Sequence, residues 1–319
     1  MKFCRKAILF LAVSASSAAV AQEWPSRPIR AVIPFTAGSG SDIVGRTVLE
    51  QISKQIGQPI IVENRVGAGG TIGTAVVAKA DPDGYTLLFE SSAHTSTPLV
   101  YKNLTYTPSD FIPIASVASL PQVLIISPSK NITSVGALAE AAKANPGKMS
   151  YASGGIASAT HLSVERFRLS AGFEAVHVPF RGGPEAITEV MTGRVDFYFV
   201  PVLPALGFIR DGRLLALAVS AKQRASLLPD VPTTTEAGFK DSDYNFWVGL
   251  LAPAKTPQPI VERLHAEVEK AVKTPEVAAK LKGYGADPML QTAAEFRQQI
   301  KDELAANEKL VKAIGITAQ

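Results

Sequence analysis

Short apolar runs alternate with amphipathic segments of helical period along most of this 319-residue chain. Residues 29–50 show the unit most clearly. An apolar run up to Phe35 predicts a buried strand, small residues predict a loop, and apolar positions at helical spacing predict a helix opening near Ser41 or Asp42. Such a junction leaves N–H groups of the first helical turn unpaired, at the favourable end of the helix dipole. The unit therefore predicts an anion-binding site.

The same alternation continues to the end of the chain. Further strands are predicted at 59–64, 85–90, 148–152, 175–179, 195–200 and 214–220, and helices at 72–80, 138–144, 159–170, 184–192, 257–272, 275–282 and 293–314, the last with Thr292 as N-cap. Strands that alternate with helices indicate an α/β protein with mainly parallel sheets and right-handed crossovers. Ligands of such sheets bind beyond the carboxyl ends of the strands.

The extended stretch 111–128 has no helix between its halves and is interrupted at Pro121, which predicts a crossing between two lobes. The apolar segment 246–253 would carry the chain back. We therefore expect one lobe from residues 22–121 and 247–319, and an inserted lobe from residues 122–246. Two crossings at one hinge are typical of a clamshell with its binding cleft between the lobes.

The first 21 residues have the pattern of an export signal. Basic residues precede an apolar segment, and Ala19-Val-Ala21 forms a cleavage site. The chain's one cysteine, Cys4, lies in this segment, so the mature chain would have no disulfide or thiol nucleophile. The net charge of +4 also comes mostly from the segment, which holds three basic residues and no acidic one. Charge therefore gives no support to nucleic-acid binding.

A second strand–loop–helix junction follows at residues 150–162, in the inserted lobe. Ser153 lies in its loop, and Ser158 is a plausible N-cap that would leave the N–H groups of Ala159 and Thr160 free. Two facing helix N-termini would suit a ligand with two acidic groups, or a single acidic group bound by both helices.

Two charged residues follow in the run 179–199. Arg181 lies in a strand-to-helix turn beside glycines, where its guanidinium could reach a ligand carboxylate or simply be solvated. Asp196 lies inside an apolar strand, where an unpaired carboxylate would be costly. It could pair with a helix N-terminus or an arginine, or contact the ligand.

The sequence lacks the common enzyme motifs. Gly67-Ala-Gly-Gly-Thr-Ile72 resembles a dinucleotide fingerprint, but Ile72 occupies the place of its last glycine. The chain has no P-loop lysine motif, no H-E-x-x-H and no G-x-S-x-G. His161 and Glu165 share a helix face without further metal ligands, so we expect no catalytic residue, metal or cofactor. Ser92 and His94, after the third strand, could line the cleft mouth.

Several motifs resemble one family almost from end to end. They are WPSRPIR (24–30), PFTAGSGSD (34–42), VENRVGAGGTIG (62–73), DPDGYTLL (81–88), GGPEA (182–186), GRVD (193–196), LPDVPT (228–233), EAG (236–238) and LAPAKTP (251–257). In order and spacing they are similar to the extracytoplasmic solute receptors of tripartite tricarboxylate transporters, the Bug family.

The resemblance implies a type II periplasmic-binding-protein fold, with two Rossmann-like lobes joined by a two-crossing hinge. It implies a monomeric periplasmic receptor that clamps a small mono- or dicarboxylate and delivers it to membrane permease subunits. Alternatives are a sensor partner of a membrane kinase and a secreted serine hydrolase. Mapped onto this chain, the ligand-binding positions are Phe35, Ser39, Ser41, Asp42, Ser153, Ser158, Thr160, Arg181 and Asp196.

Two departures from the family pattern bear on the ligand. Ser39 stands where many relatives have glycine, and it could add a hydroxyl donor. Residues 197–201, Phe-Tyr-Phe-Val-Pro, are bulkier and more aromatic than the usual run, which could favour an aromatic or longer apolar ligand.

Overall fold

A computed structural model describes residues 24–316. The predicted signal segment, its cleavage site and Cys4 lie outside the described residues. The first part of the chain forms β1 (Ile29–Ile33), α1 (Gly40–Ile56), β2 (Ile60–Asn64), α2 (Thr71–Ala78), β3 (Thr86–Ser91) and β4 (Phe111–Ser119). The middle part forms β5 (Gln122–Ile126), α3 (Val135–Ala144), β6 (Ser150–Ser153), α4 (Ala159–Ala171), β7 (Val176–Pro179), α5 (Gly183–Met191), β8 (Phe197–Pro201), α6 (Val202–Arg210) and β9 (Leu215–Val219). The last part forms β10 (Trp247–Pro253), α7 (Gln258–Lys273), α8 (Pro275–Gly283), β11 (Asp287–Pro288) and α9 (Ala293–Ile314).

These strands form two sheets with different members. The first has the order β11-β4-β10-β3-β1-β2, and the second has the order β7-β6-β8-β5-β9. The chain passes from the first sheet to the second between β4 and β5, through Leu120 and Pro121, and rejoins the first sheet at β10. The described chain is therefore a two-sheet α/β fold, as predicted. The exact lobe boundaries remain a prediction.

The prediction of mainly parallel sheets is wrong, because both sheets are mixed. Strand β1 is parallel to β2 and β3, but β10 lies antiparallel between β3 and β4. In the second sheet β6 is parallel to β7 and β8, while β5 is antiparallel to β8 and β9. The strands that run against the others are β5 and β10, each the first strand after a crossing, and the short β11.

Each sheet is covered by helices that bury their apolar sides. Helix α1 places Val44, Val48 and Ile52 against the first sheet, and all three are fully buried. Helix α5 does the same in the second sheet through Ile187 and Val190. Among residues 24–316, none of the helices combines the length and apolar character needed to cross a membrane. The packing holds the loops that follow β1, β6 and β7 in fixed positions.

Candidate functional site

The loops after β1, β6 and β7 surround an inner compartment between the two sheets. Its volume is about 40 Å³. A water-sized group needs roughly 10–15 Å³ on this measure, so the space admits about three such groups. The compartment is lined by Phe35, Ser39, Gly40, Ser41, Ser91, Gly154, Ser158, Ala159, Thr160, Gly182, Gly183, Tyr198, Val200, Pro201, Pro204 and Phe246.

Helix α1 points its N-terminus into this compartment. The helix begins at Gly40, slightly earlier than expected, because Ser39 is the N-cap and its Oγ accepts from the Asp42 amide at 3.3 Å. Within the described residues, no hydrogen bond uses the amide N–H of Gly40 or Ser41. Both groups are therefore free to bind an anion at the positive end of the helix dipole.

Helix α4 presents a second N-terminus from the other lobe. Ser158 is the N-cap, as predicted, and its Oγ accepts from the His161 amide at 3.3 Å. No hydrogen bond between described residues uses the amides of Ala159 and Thr160. The Thr160 Oγ1 accepts from the Gly154 amide at 2.9 Å, which fixes the loop over the helix end. Two helix N-termini from opposite lobes thus face one small space.

A third N-terminus, that of α5, lies beside the other two. Gly182 is its N-cap and offers no side chain, while Gly182 and Gly183 both line the inner compartment. Of the described residues that line the compartment, none is acidic and none is a lysine or arginine. Its attraction for an anion therefore comes from backbone N–H groups and hydroxyls.

A buried aromatic network supports the second loop from below. The rings of His161 and His177 stack at 3.8 Å between centroids, next to the ring of Tyr151. His161 Nδ1 accepts from the Ala157 amide at 3.0 Å, so its Nε2 can donate to the Tyr151 hydroxyl, 3.1 Å away. That hydroxyl in turn donates to Glu165. Burial lowers the pKa of His161 to about 3, in keeping with a neutral ring.

This network holds an uncommon backbone conformation. Ala157 has a φ of 59°, in the left-handed region that residues with side chains rarely adopt. Its amide is tied to His161, and its carbonyl oxygen accepts from Ser96 Oγ of the other lobe at 2.6 Å. The strained residue thus connects the loop to α4 through its N–H group and to the facing lobe through its carbonyl oxygen.

The rest of the inner compartment is apolar. Strand β8 contributes Tyr198 and Val200, and the segment that follows contributes Pro201 and Pro204. Phe246 closes the compartment from the crossing before β10. Burial raises the pKa of the Tyr198 hydroxyl, which therefore stays neutral. On this side of the compartment, the part of a ligand beyond the free backbone N–H groups would contact apolar side chains.

An outer compartment adjoins the inner one and shares Phe35 and Gly154 with it. Its volume is about 240 Å³. It is lined by Pro34, Phe35, Gly67, Ala68, Gly69, Gly70, Tyr101, Gly154, Gly155, Ile156, Pro179, Phe180 and Arg181. Arg181 is exposed at its rim.

The two lobes meet closely around both compartments. A methyl group added at Gly182 would lie 2.0 Å from Thr36 Oγ1, and one added at Gly69 would lie 2.4 Å from the Ile156 carbonyl oxygen. These approaches require glycine. The Tyr101 hydroxyl donates to the same Ile156 oxygen at 3.4 Å. The cleft is therefore narrow at its mouth.

Comparisons with known proteins agree with this geometry. The family described as the tripartite tricarboxylate transporter family receptor, TctC, matches residues 44–316. The chain belongs to this receptor family. It is 37% identical over 312 residues to a UPF0065 protein in the tcbD-tcbE intergenic region of a Pseudomonas species, covering 97% of this chain and 93% of that one. It is 33% identical over 315 residues to BugT of Bordetella pertussis, covering 96% and 95%.

Solved structures are similar over nearly the whole receptor. The periplasmic binding protein BugD has a TM-score of 0.87 at 32% identity, covering 93% of this chain and all 100% of that one. Rpa4515 of R. palustris, solved with adipate, has a TM-score of 0.89 at 30% identity and covers 93% and 100%. MatC of Rhodopseudomonas palustris, solved with malate, has a TM-score of 0.85 at 30% identity and covers 90% and 100%. The resemblance seen in the motifs is confirmed, and the protein is a periplasmic solute-binding receptor of the TctC/Bug family.

The receptor brings six of the predicted binding residues to the two compartments. Phe35, Ser39, Ser41, Ser158 and Thr160 line the inner compartment. Arg181 lines the outer one, together with Phe35. These residues come from loops far apart in the chain.

Four other predicted residues do not line either compartment. Asp196 pairs with Lys130 at 2.6 Å and accepts from the Ser150 amide at 2.7 Å, so its partner is a lysine rather than an arginine or helix end. Asp42 turns back to accept from Arg46 and from the Gly38 amide, both at 2.9 Å. It braces the first loop.

Ser153 and Ser92 are fully buried behind the site. Ser153 Oγ lies 2.6 Å from His177 Nε2 and donates to the Gly155 carbonyl oxygen at 3.0 Å. His94 is also buried, against Phe111, and does not reach the cleft mouth. Burial lowers its pKa to about 4. These side chains shape the loops without facing the ligand space.

Sequence reasoning missed several residues that line the receptor's inner compartment, among them Ser91, Tyr198, Pro204 and Phe246. One signal was available, since side chains alternate along a strand. Tyr198 and Val200 share one face of β8, whereas Phe197 and Phe199 pack in a separate cluster on the other face. No group of three or more metal-binding side chains occurs within residues 24–316.

Proposed function

We propose that the receptor clamps a small organic carboxylate between its lobes and delivers it to membrane permease subunits of a tripartite transporter. One observation carries the proposal: the free amides of Gly40, Ser41, Ala159 and Thr160 converge on one compartment of carboxylate size. The family's description and the adipate and malate in the structures of similar proteins support the ligand class.

The proposed clamp consists of the two crossings, the two lobes and the loops already described. Residues 22–121 and 247–319 would form one lobe and residues 122–246 the other. The division of the strands between two sheets, with β5 to β9 in the second, supports these bounds. Ser39, Ser41, Ser158 and Thr160 would surround the carboxylate. Hydrogen bonds to a charged group contribute about 1.5–3 kcal/mol each. A few of them reach the roughly 8 kcal/mol of micromolar binding, after the cost of ordering the ligand.

The test is a thermal-shift screen of organic acids followed by titration calorimetry. A bound ligand raises the melting temperature with its affinity and concentration. We expect at least one carboxylate to bind with a micromolar Kd, and its uncharged amide analogue, such as malamide for malate, to bind at least 100-fold more weakly. Equal binding of acid and amide, or no binding of any carboxylate, would overturn the proposal.

Delivery to a transporter needs a separate test, with the permease subunits encoded beside this chain's gene. We expect the ligand-loaded receptor to bind those subunits in membrane vesicles and to support uptake of the ligand. Binding to a neighbouring membrane kinase instead would favour the sensor alternative.

One observation favours a second candidate, a secreted serine hydrolase. Ser153 Oγ and His177 Nε2 lie 2.6 Å apart, which is the spacing of a serine and its general base. The Ser153 hydroxyl donates its proton to the Gly155 carbonyl oxygen, so His177 Nε2 is the donor here and does not act as the base. Ser153 is fully buried and lines neither compartment, which disfavours attack on a substrate. A screen of ester and amide substrates decides, and hydrolysis that disappears in Ser153→Ala would establish this candidate.

A further inference from the structure

The sizes of the two compartments divide the ligand into two parts. The inner compartment of about 40 Å³ has room for little more than a carboxylate group. The outer compartment is about 240 Å³ and shares Phe35 and Gly154 of its lining with the inner one. A ligand that is larger than the inner compartment and has its carboxylate on the helix N-termini would extend past Phe35 and Gly154 into the outer compartment.

The outer compartment has the surfaces that bind a flat ring. Phe35, Tyr101 and Phe180 contribute three aromatic side chains, each only half buried, to its wall. The glycines at residues 67, 69, 70, 154 and 155 add backbone without side chains to the same wall. Aromatic rings pack favourably against other rings and against apolar surface.

The same compartment offers little to a hydroxylated aliphatic body. Among its described side chains, the hydroxyl of Tyr101 already donates to the Ile156 carbonyl oxygen, and the guanidinium of Arg181 lies at the exposed rim. A ligand hydroxyl placed deeper would meet no further polar side chain of the lining and would have only backbone groups as partners. A hydroxyl left without a partner is costly to bury. No acidic side chain of the described chain lines the compartment, so a ligand anion meets no repulsion there.

We infer that the ligand is a carboxylate whose body is an aromatic ring, and that Phe35, Tyr101 and Phe180 form a ring subsite between the lobes. This inference rests on the proposed carboxylate clamp and specifies its substrate class. The three side chains are specificity-determining residues, because they contact the body of the ligand and leave its carboxylate to the helix N-termini.

The experiment compares four probes by titration calorimetry on the purified protein: benzoate, cyclohexanecarboxylate, malate and adipate. Benzoate and cyclohexanecarboxylate share the carboxylate and the number of carbons, and differ in the flat ring. We expect benzoate to bind at least tenfold more tightly than the other three probes.

Two variants remove the rings while keeping apolar bulk. Tyr101→Leu and Phe180→Leu should each weaken benzoate at least fivefold and change the affinity for cyclohexanecarboxylate less than twofold. The matched control is Tyr284→Leu, because Tyr284 is half buried at the end of α8 and lines neither compartment. It should leave benzoate binding unchanged. If one variant fails to fold, the other carries the test.

The outcomes separate this inference from the proposed function. If malate or adipate binds and benzoate binds more weakly, the ring subsite is overturned while the carboxylate clamp stands. If benzoate binds but neither variant weakens it, the subsite is also overturned. If no carboxylate binds at all, the proposed function fails and this inference fails with it.

Discussion

Gly182 gives the sharpest test of whether the two lobes close on the ligand. The residue lies in the loop before α5, and Thr36 of the other lobe packs directly against it. A methyl group added at Gly182 would lie 2.0 Å from Thr36 Oγ1, 2.6 Å from Cγ2 and 2.8 Å from Cβ. The backbone of Gly182 has a φ of 179°, which any residue adopts. The Gly182→Ala substitution therefore clashes with Thr36 of the facing lobe but causes no strain in the backbone of residue 182 itself.

The size of the effect follows from these three distances. Rotating Thr36 moves Oγ1 and Cγ2 but leaves Cβ at 2.8 Å, so a change of rotamer does not remove the clash. The lobes must separate at this point or strain the loop, and overpacking of this kind costs about 1–3 kcal/mol. Because each 1.4 kcal/mol is about tenfold in affinity, we expect Gly182→Ala to weaken ligand binding by about 5–140-fold.

The assay is titration calorimetry with the tightest carboxylate from the screen, together with the melting temperature of the ligand-free protein. Closure on the ligand requires Thr36 and Gly182 to be apart in the ligand-free protein. The ligand-free melting temperature of Gly182→Ala should then stay within about 2 °C of wild type, a shift below roughly 1 kcal/mol. Thr36→Ala in the same chain removes two of the three contacts and should restore part of the affinity.

Gly136→Ala is the matched control, since a methyl group at this glycine in α3 meets nothing within 4 Å. It should leave affinity unchanged. Unchanged affinity in Gly182→Ala as well would refute closure at this contact, and so would a loss that Thr36→Ala fails to relieve.

Three further predictions follow from the site and its supports. Arg181→Ala should weaken a dicarboxylate at least tenfold and a monocarboxylate less than threefold, because Arg181 lies in the outer compartment, where only a second acidic group would reach it; calorimetry with adipate and benzoate compares them, and equal losses would contradict this placement. Ser158→Ala removes the α4 N-cap and should lower stability by about 1 kcal/mol and also weaken binding, whereas Ser134→Ala, the equivalent cap of α3, should lower stability alone; the pair fails as evidence if both variants bind equally well. Burial raises the pKa of Glu90 from 4.5 to about 7, so the folded protein keeps a proton that the unfolded chain releases, and stability falls as pH rises from about 4.5 to 7. Glu90→Gln should therefore gain about 2 kcal/mol more relative to wild type at pH 8 than at pH 5, as measured by urea unfolding, and a gain independent of pH would show that Glu90 is not buried in this way.

Local signals in the sequence located most helices and strands of the receptor. The capping box at Thr292 and Glu295 marked the start of α9 at the correct residue. Pro121 marked the break between β4 and β5. Helix α6 was not predicted, because it follows β8 without a turn, has Pro201 as its N-cap with no capping side chain, and contains Pro204 in its first turn. Strand direction was also missed, since the place of β10 between β3 and β4 depends on residues far apart in the chain.

The site was predictable where one local motif makes it and unpredictable where distant segments meet. Ser39 and Ser158 both act as N-caps within their own short loops. The cap at Ser158 was predicted, whereas Ser39 was expected only as a hydroxyl donor to the ligand. Asp42 was expected to contact the ligand, but its carboxylate pairs with Arg46, which lies four residues later and is a suitable helical partner for it. Phe246 and Tyr101 lie next to these loops only after the lobes come together, and no spacing in the chain marks them.

The most direct test of the carboxylate clamp is a crystal structure of the receptor with its tightest-binding carboxylate. We predict that the carboxylate oxygens lie about 2.7–3.2 Å from the amide nitrogens of Gly40 or Ser41 in one lobe and of Ala159 or Thr160 in the other, either directly or through one ordered water. A ligand held by one lobe only, or a carboxylate that faces solvent away from these helix N-termini, would contradict the account.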